Sequence, residues 1–303
     1  MSIDDQSTPP PHVVLMQLVQ GMMLAKALQS VAELGIADLL KNAPHTCEEL
    51  AEATATHAPS IHRLLRALAS RGVFREDEHG RFENTKLSEP LRSDDPMSVR
   101  NYVIYALHDG NMLAWMRLMS VLRTGEPSFL AATGFDVWGY FNEHPDIGEQ
   151  FNQAMTSLAS GTNRMVLQAY DFSPFKTLVD IGGGQGLLLA SLLKVHPHLH
   201  GVLFDLFSVA EGARQYLQLQ GLTDRCDCLS GNAFESIPPG YDAYVMKNVL
   251  HDWSDERALV LLERCRAAIP AHGRLIIVDA VMVPGNEPHP AKWFDLHMMV
   301  ALG

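Results

Sequence analysis

The chain has 303 residues, of which 47% are apolar and 19% charged, and its formal net charge is -12. Such a length holds two domains, and such a composition fills a core and excludes a disordered chain. The acidic balance argues against non-specific binding to nucleic acid or to an anionic membrane.

The opening stretch, MSIDDQSTPPP, is acidic and proline-rich, with neither a basic n-region nor an apolar h-region. It reads as a disordered tail over 1–11, not as a signal peptide. No apolar run approaches the ~18 residues of a membrane span. From 12 to 41, apolar residues such as Val14, Leu15, Leu18, Met22 and Leu28 recur at helical spacing, with Gly35 as a break. The stretch is apolar on more than one side, and a partner chain is one candidate to bury it. Thr46 with Glu49 fits a capping box. Pro59-Ser60 opens a second helix that carries Ile61, Leu64, Leu65 and Leu68 and ends at Gly72. The segment VFREDEHGRFENT then reads as a hairpin about His79-Gly80. Two helices and a hairpin make a winged helix-turn-helix over 12–97, whose usual meaning is DNA binding. Arg63, Arg66 and Arg71 would suit that role. Glu76, Asp77, Glu78 and Glu83, however, crowd the wing and repel phosphate, so packing or dimerisation is the better reading.

Residues 98–170 read as a largely helical segment, rich in methionine and aromatic residues that include Trp115, Trp138, Phe141 and Phe151. Most are core by type, and such side chains also line pockets for flat apolar ligands. From Lys176 the period alternates between strand and helix. Strands are predicted at Thr177–Ile181, His200–Leu206, Arg225–Gly231, Asp242–Asn248 and Arg274–Met282. Helices are predicted near Leu187–Val195, Val209–Leu219 and Asp255–Ala268. This is the pattern of an α/β domain over 171–303 with a Rossmann-like, mainly parallel sheet, which binds ligands at the carboxyl ends of its strands. The four cysteines, Cys47, Cys226, Cys228 and Cys265, form no C-x-x-C pair and read as free thiols of a reducing cytoplasm.

The first strand runs into Gly182, Gly183, Gly184, Gln185 and Gly186. A dinucleotide fingerprint would need a sixth-position glycine where Leu187 stands, and no Gly-Lys-Ser/Thr of a Walker loop follows. Asp205, at the end of the second strand, is placed to accept hydrogen bonds from ribose hydroxyls. S-adenosylmethionine carries a ribose and no phosphate, which fits a turn without a basic residue better than a pyrophosphate does. The fourth strand ends in MKNVLHDWSDE, which puts Lys247 and His251 at the same edge. A neutral imidazole there is suited to taking a proton from a phenol or similar hydroxyl. His79, His108, His196, His198, His200, His272, His289 and His297 have no such context and read as surface or structural. No His/Cys/Asp spacing indicates a metal.

The successive motifs LVDIGGGQG, FDL, MKNVLHDWSDE and GRLIIVDAVMVP resemble those of the class I S-adenosylmethionine-dependent O-methyltransferases of the hydroxyindole, plant phenolic and bacterial polyketide type. The middle stretch LRTGEPSFLAATGFDVWGYFNEHPDIGEQFNQAM and the N-terminal ELGIADLL with the winged segment are similar too, so the resemblance covers nearly the whole chain. It implies a homodimer paired through the winged domain, which then binds no DNA, and a small hydroxylated acceptor. Carried over by position, the resemblance implies His251 as general base, with Asp279 as its carboxylate partner and Asp252 beside it. The implied cofactor site takes Asp180, Gly182 and Gly184 from the first strand and turn, with Asp205 and Leu206 from the second. Asn232, Ala233 and Phe234 would frame the adenine, and Lys247 and Trp253 complete the set. The family usually has Asp at the position of Asn232, so this chain lacks one charge there. Family members continue beyond HMMVALG with a glycine-arginine-glutamate stretch, a helix and two strands. The expectation is therefore a sheet shortened relative to the family, with a bare edge. N- or C-methylation on the same scaffold, and a non-catalytic cofactor-binding dimer or winged-helix regulator, stand as alternative readings.

Overall fold

The computed structural model describes residues 9–303, so most of the predicted tail, residues 1–8, lies outside the described residues. The chain divides into two compact units, one up to His108 and one from Asp109.

The first unit holds α1 (Pro11–Val19), α2 (Gly21–Glu33), α3 (Ile36–Leu39), α4 (Cys47–Thr54), α5 (Ala58–Ala69) and α6 (Arg100–Ala106), with strands β1 (Phe74–Glu76) and β2 (Phe82–Asn84). The α1 helix begins at Pro11, inside the predicted tail, because proline suits a first helical turn that has no use for its N–H. Gly35, at φ +66°, makes the predicted break before α3. The capping box forms in full at α4. Glu49 N–H donates to Thr46 Oγ1 at 3.3 Å, and Thr46 N–H donates to Glu49 Oε2 at 2.8 Å. β1 and β2 pair antiparallel, and Arg75 forms an ion pair with Glu83 across them. Ile36, Leu50, Leu65, Leu68, Phe74 and Phe82 close this unit's core. By contrast α1 buries no residue, and Leu15, Leu18, Val19, Met22 and Met23 are all more than 60% exposed.

The second unit begins with α7 (Asp109–Trp115), α8 (Leu118–Thr124), α9 (Phe129–Thr133), α10 (Val137–Glu143) and α11 (Pro145–Ala169). A sheet follows, made of β3 (Thr177–Ile181), β4 (His200–Asp205), β5 (Cys226–Ser230), β6 (Ala243–Lys247) and β7 (Arg274–Val278), with α12 (Leu187–Val195), α13 (Phe207–Leu219), α14 (Asp255–Ala268) and finally α15 (Pro290–Ala301). The five strands are parallel in the order β5-β4-β3-β6-β7. Alternate residues of one strand enter opposite cores. Leu178 packs with α12 and α13 residues such as Leu189 and Leu217, whereas Val179 and Ile181 pack with Leu261 and Cys265 of α14. Period-two burial on both faces is what a doubly covered parallel sheet requires. Each fully buried Leu, Ile or Val contributes about 1.5–3 kcal/mol from burial.

Strand β7 stops at Val278, well short of the predicted Met282. The chain turns away because the Asp279 carboxylate caps its own Ala280 N–H at 2.8 Å, and Pro284, Pro288 and Pro290 then exclude further pairing. Among the described residues β7 is an edge strand, with Ile277 exposed. Helix α15 instead packs under α7, α9 and α10, where Val300 is fully buried with Ala114, Phe129 and Val137. All four cysteines are free. Cys47 and Cys265 are buried, while Cys226 and Cys228 on edge strand β5 are only half-buried. No described helix is long and apolar enough to cross a membrane.

Candidate active site

The carboxyl ends of β3, β4, β5, β6 and β7 bring the predicted residues to one edge. After β3, the chain turns at Gly182 with φ +66°. A Cβ there would lie 2.9 Å from Val249 Cγ2, so both the backbone angle and the space demand glycine. Gly184, at φ +57°, faces open space instead. Its N–H donates to Asp205 Oδ2 at 2.9 Å, and Leu206 N–H donates to Asp205 Oδ1 at 2.7 Å. The aspartate thus ties the glycine turn to the end of β4. Burial raises the Asp205 pKa, and these two amides work against that rise.

Asp180 lies below the turn, 1% exposed, and its Oδ2 has no hydrogen-bond partner among the described residues. Burial pushes its pKa up to about 7, with the Lys247 charge pulling it down and the Asp205 charge adding to the rise. Burial in turn lowers the Lys247 pKa, against the attraction of Asp180. The exposed Asn232 spends part of its amide locally. Its Oδ1 accepts from Phe234 N–H at 3.0 Å, and its Nδ2 donates to Glu235 at 3.1 Å. Phe234 meets Trp253 edge to face at 4.6 Å. The Arg257 guanidinium sits over both rings, 4.3 Å and 4.5 Å from their centroids. Trp138 of α10 stacks beyond Trp253 at 6.4 Å.

After β6, Asn248 takes a left-handed φ of 56°, a conformation asparagine tolerates better than other side chains. The bend leads into a short 3-10 turn, Leu250–Asp252, that carries His251. The His251 Nδ1 donates to Asp279 Oδ1 at 2.6 Å, and Nε2 lies 3.3 Å from Asp252 Oδ1. An ionised carboxylate only accepts, so the Asp279 bond puts the imidazole proton on Nδ1 and leaves a lone pair on Nε2. Burial lowers the His251 pKa, but the Asp279 hydrogen bond and the charges of Asp252 and Asp279 outweigh it, and the net shift is upward. Asp252 is pushed up to about 6 by burial, eased by His251 and reinforced by Asp279. Asp279 moves the other way: burial acts to raise it, and the bond and charge of His251 hold it low. The Phe294 ring of α15 closes edge-on over the imidazole at 4.8 Å.

Three groups here have no signal in the sequence. Arg257 reads there as an ordinary helical charge. Phe294 sits in a helix whose path only the fold reveals. His297, read as surface or structural, has its Nδ1 accepting the Trp115 Nε1–H at 3.0 Å. No group of three or more His, Cys, Asp or Glu among the described residues could hold a metal ion.

The sheet order and its glycine turn are those of a Rossmann-like cofactor-binding domain, and the family match gives its class, the S-adenosylmethionine-dependent O-methyltransferases. Residues 115–303 match the O-methyltransferase domain and residues 16–94 the O-methyltransferase dimerisation domain, and the chain belongs to that family. It is 42% identical to the phenazine O-methyltransferase PhzM of Lysobacter antibioticus over 295 residues, covering 97% of this chain and 86% of that one. The solved structure of LaPhzM superposes with a TM-score of 0.93 at 41% identity, covering 97% of this chain and 88% of that one. The mitomycin biosynthesis 6-O-methyltransferase of Streptomyces lavendulae is 39% identical over 288 residues, 94% of this chain and 82% of its own. NcsB1, an O-methyltransferase from neocarzinostatin biosynthesis solved with S-adenosylmethionine and 2-hydroxy-5-methyl naphthoic acid, matches at a TM-score of 0.80 and 30% identity, with 92% and 84% covered. The chain is accordingly an S-adenosylmethionine-dependent O-methyltransferase.

The edge fits that cofactor in its chemistry. A ribose and an ammonium are hydrogen-bond donors, and the edge offers acceptors: the Asp205 carboxylate and the unpartnered, buried Asp180 Oδ2. The open face of Gly184 lets a ligand approach the backbone, and the turn's one polar side chain, Gln185, is neutral.

Proposed function

We propose that this enzyme methylates a hydroxyl of a flat aromatic acceptor, with His251 as the general base. The observation that carries this reading is the 2.6 Å bond from His251 Nδ1 to Asp279, which frees Nε2 to accept a proton. Bound S-adenosylmethionine supplies an electrophilic methyl group on a sulfonium. Asp205 would hold the ribose hydroxyls. Leu206, Asn232, Ala233, Phe234 and Trp253 would border the adenine, and Gly182, Gly184, Asp180 and Lys247 the remainder. His251 Nε2 takes the acceptor's hydroxyl proton, which turns a weak nucleophile into a phenolate-like one. Asp279 and Asp252 stabilise the imidazolium that results, and Asp279 fixes the ring's orientation. Fixed alignment supplies much of the remaining rate in such a displacement. The acceptor is read as flat and apolar from the rings gathered here: Trp138, Phe141, Phe151, Trp253 and Phe294.

The dimerisation domain supports a homodimer, and the exposed apolar residues of α1 and α2 give it a surface to bury. Methyl-labelled S-adenosylmethionine, offered with matched naphthols and naphthylamines, tests the main reading. Label in an aryl methyl ether supports it; label only on nitrogen or carbon contradicts it.

A further inference from the structure

Helix α15 carries His297 one turn past Phe294, the ring that covers His251, and on the same side of the helix. Trp115, the last residue of α7, lies parallel to the His297 ring, with centroids 6.1 Å apart and planes 7° apart. Its indole N–H donates to His297 Nδ1 at 3.0 Å. An indole nitrogen only donates, so Nδ1 is the acceptor and the ring proton sits on Nε2. Burial lowers the His297 pKa, which keeps the ring neutral. The helix is anchored beneath it, since the Val300 carbonyl accepts from Ser128 N–H at 2.9 Å and from Ser128 Oγ at 3.2 Å. No hydrogen bond engages His297 Nε2 among the described residues. A neutral N–H donor is therefore held rigidly about one helical turn from the residue that covers the base. Burial alone shifts the His297 ring and no neighbouring charge acts on it, so a neutral N–H here suits a neutral oxygen, whereas a ligand carboxylate would be desolvated without a cation to pair with.

We propose that His297 Nε2–H donates a hydrogen bond to a neutral carbonyl oxygen of the acceptor, such as a quinone, ketone or amide. His297 thereby selects hydroxyarenes that carry a carbonyl. The inference rests on His251 being the base, and the two are tested separately. The probes are 2-hydroxyanthraquinone and 2-hydroxyanthracene, alike in outline; the quinone carbonyls acidify the reacting hydroxyl, so each variant is compared with wild type on the same acceptor. His297→Phe keeps a ring against Trp115 and removes the donor, whereas His297→Gln keeps an N–H near the same place. His297→Phe raises KM for the quinone ~10-fold relative to wild type, as losing one hydrogen bond does. With the anthracenol, KM stays within about twofold, and His297→Gln recovers part of the quinone effect. Equal change with both acceptors, or no change with either, overturns the proposal. His251→Gln assayed on the anthracenol, which offers His297 no carbonyl, tests the base alone.

Discussion

Asp279 grips His251 through a single 2.6 Å bond to Nδ1, and its other oxygen is buried without a partner among the described residues. A carboxylate buried this way is costly unless the bond it makes is charge-assisted, so the pair is a strong mutual constraint.

The pH dependence follows from that pair. The base works as neutral imidazole, and its pKa is held above the usual value, so activity is lost as pH falls through that raised pKa. Asp279→Asn removes both the strong acceptor and its charge. The acid limb of kcat/KM then moves to lower pH, while the plateau drops by ~10–100-fold because the ring is no longer oriented. A limb that stays put or moves to higher pH contradicts this account.

Gly182→Ala forces a side chain into φ +66° and against Val249. The expected cost is about 1–3 kcal/mol of stability, with weaker cofactor binding as the turn shifts. Thermal unfolding with and without S-adenosylmethionine measures both, and an unchanged transition in the presence and absence of the cofactor would falsify the tight-turn argument.

Asp205→Asn keeps the shape and loses the charge that the Gly184 and Leu206 amides share. Cofactor affinity falls by about tenfold in calorimetry, the scale of one charge-assisted hydrogen bond. Retained wild-type affinity shows that the ribose is held elsewhere.

Much of this edge was legible in the sequence. Thr177–Ile181 and Leu187–Val195 stand where periodicity placed them, because a buried strand and the helix it feeds are local patterns. The Asp205 and His251 positions followed from strand ends. The overlong last strand was not legible: LIIVDAVM is apolar but for Asp279, and its period does not show that the Asp279 carboxylate turns onto Ala280 N–H and His251 and ends the strand there. Nor was His297, whose partner Trp115 lies 182 positions away. Asn248 gave no warning of its left-handed turn, since a single asparagine in an apolar run is a weak signal.

The exposed apolar face of α1 and α2 predicts an association that charge breaks. Leu18→Glu with Met22→Glu puts two charges among residues more than 60% exposed in the single chain, so the isolated fold tolerates them. Light scattering should show a dimer for the wild type and a monomer for the double variant. A wild-type monomer, or a variant that remains dimeric, sends the pairing surface elsewhere.

The central claim is that His251 takes the acceptor's proton. Single-turnover methyl transfer by His251→Gln, measured beside its calorimetric affinity for S-adenosylmethionine, tests it most directly. The account predicts a rate at least ~100-fold below wild type with cofactor affinity unchanged. A variant that binds the cofactor and transfers the methyl group at the wild-type rate would contradict it.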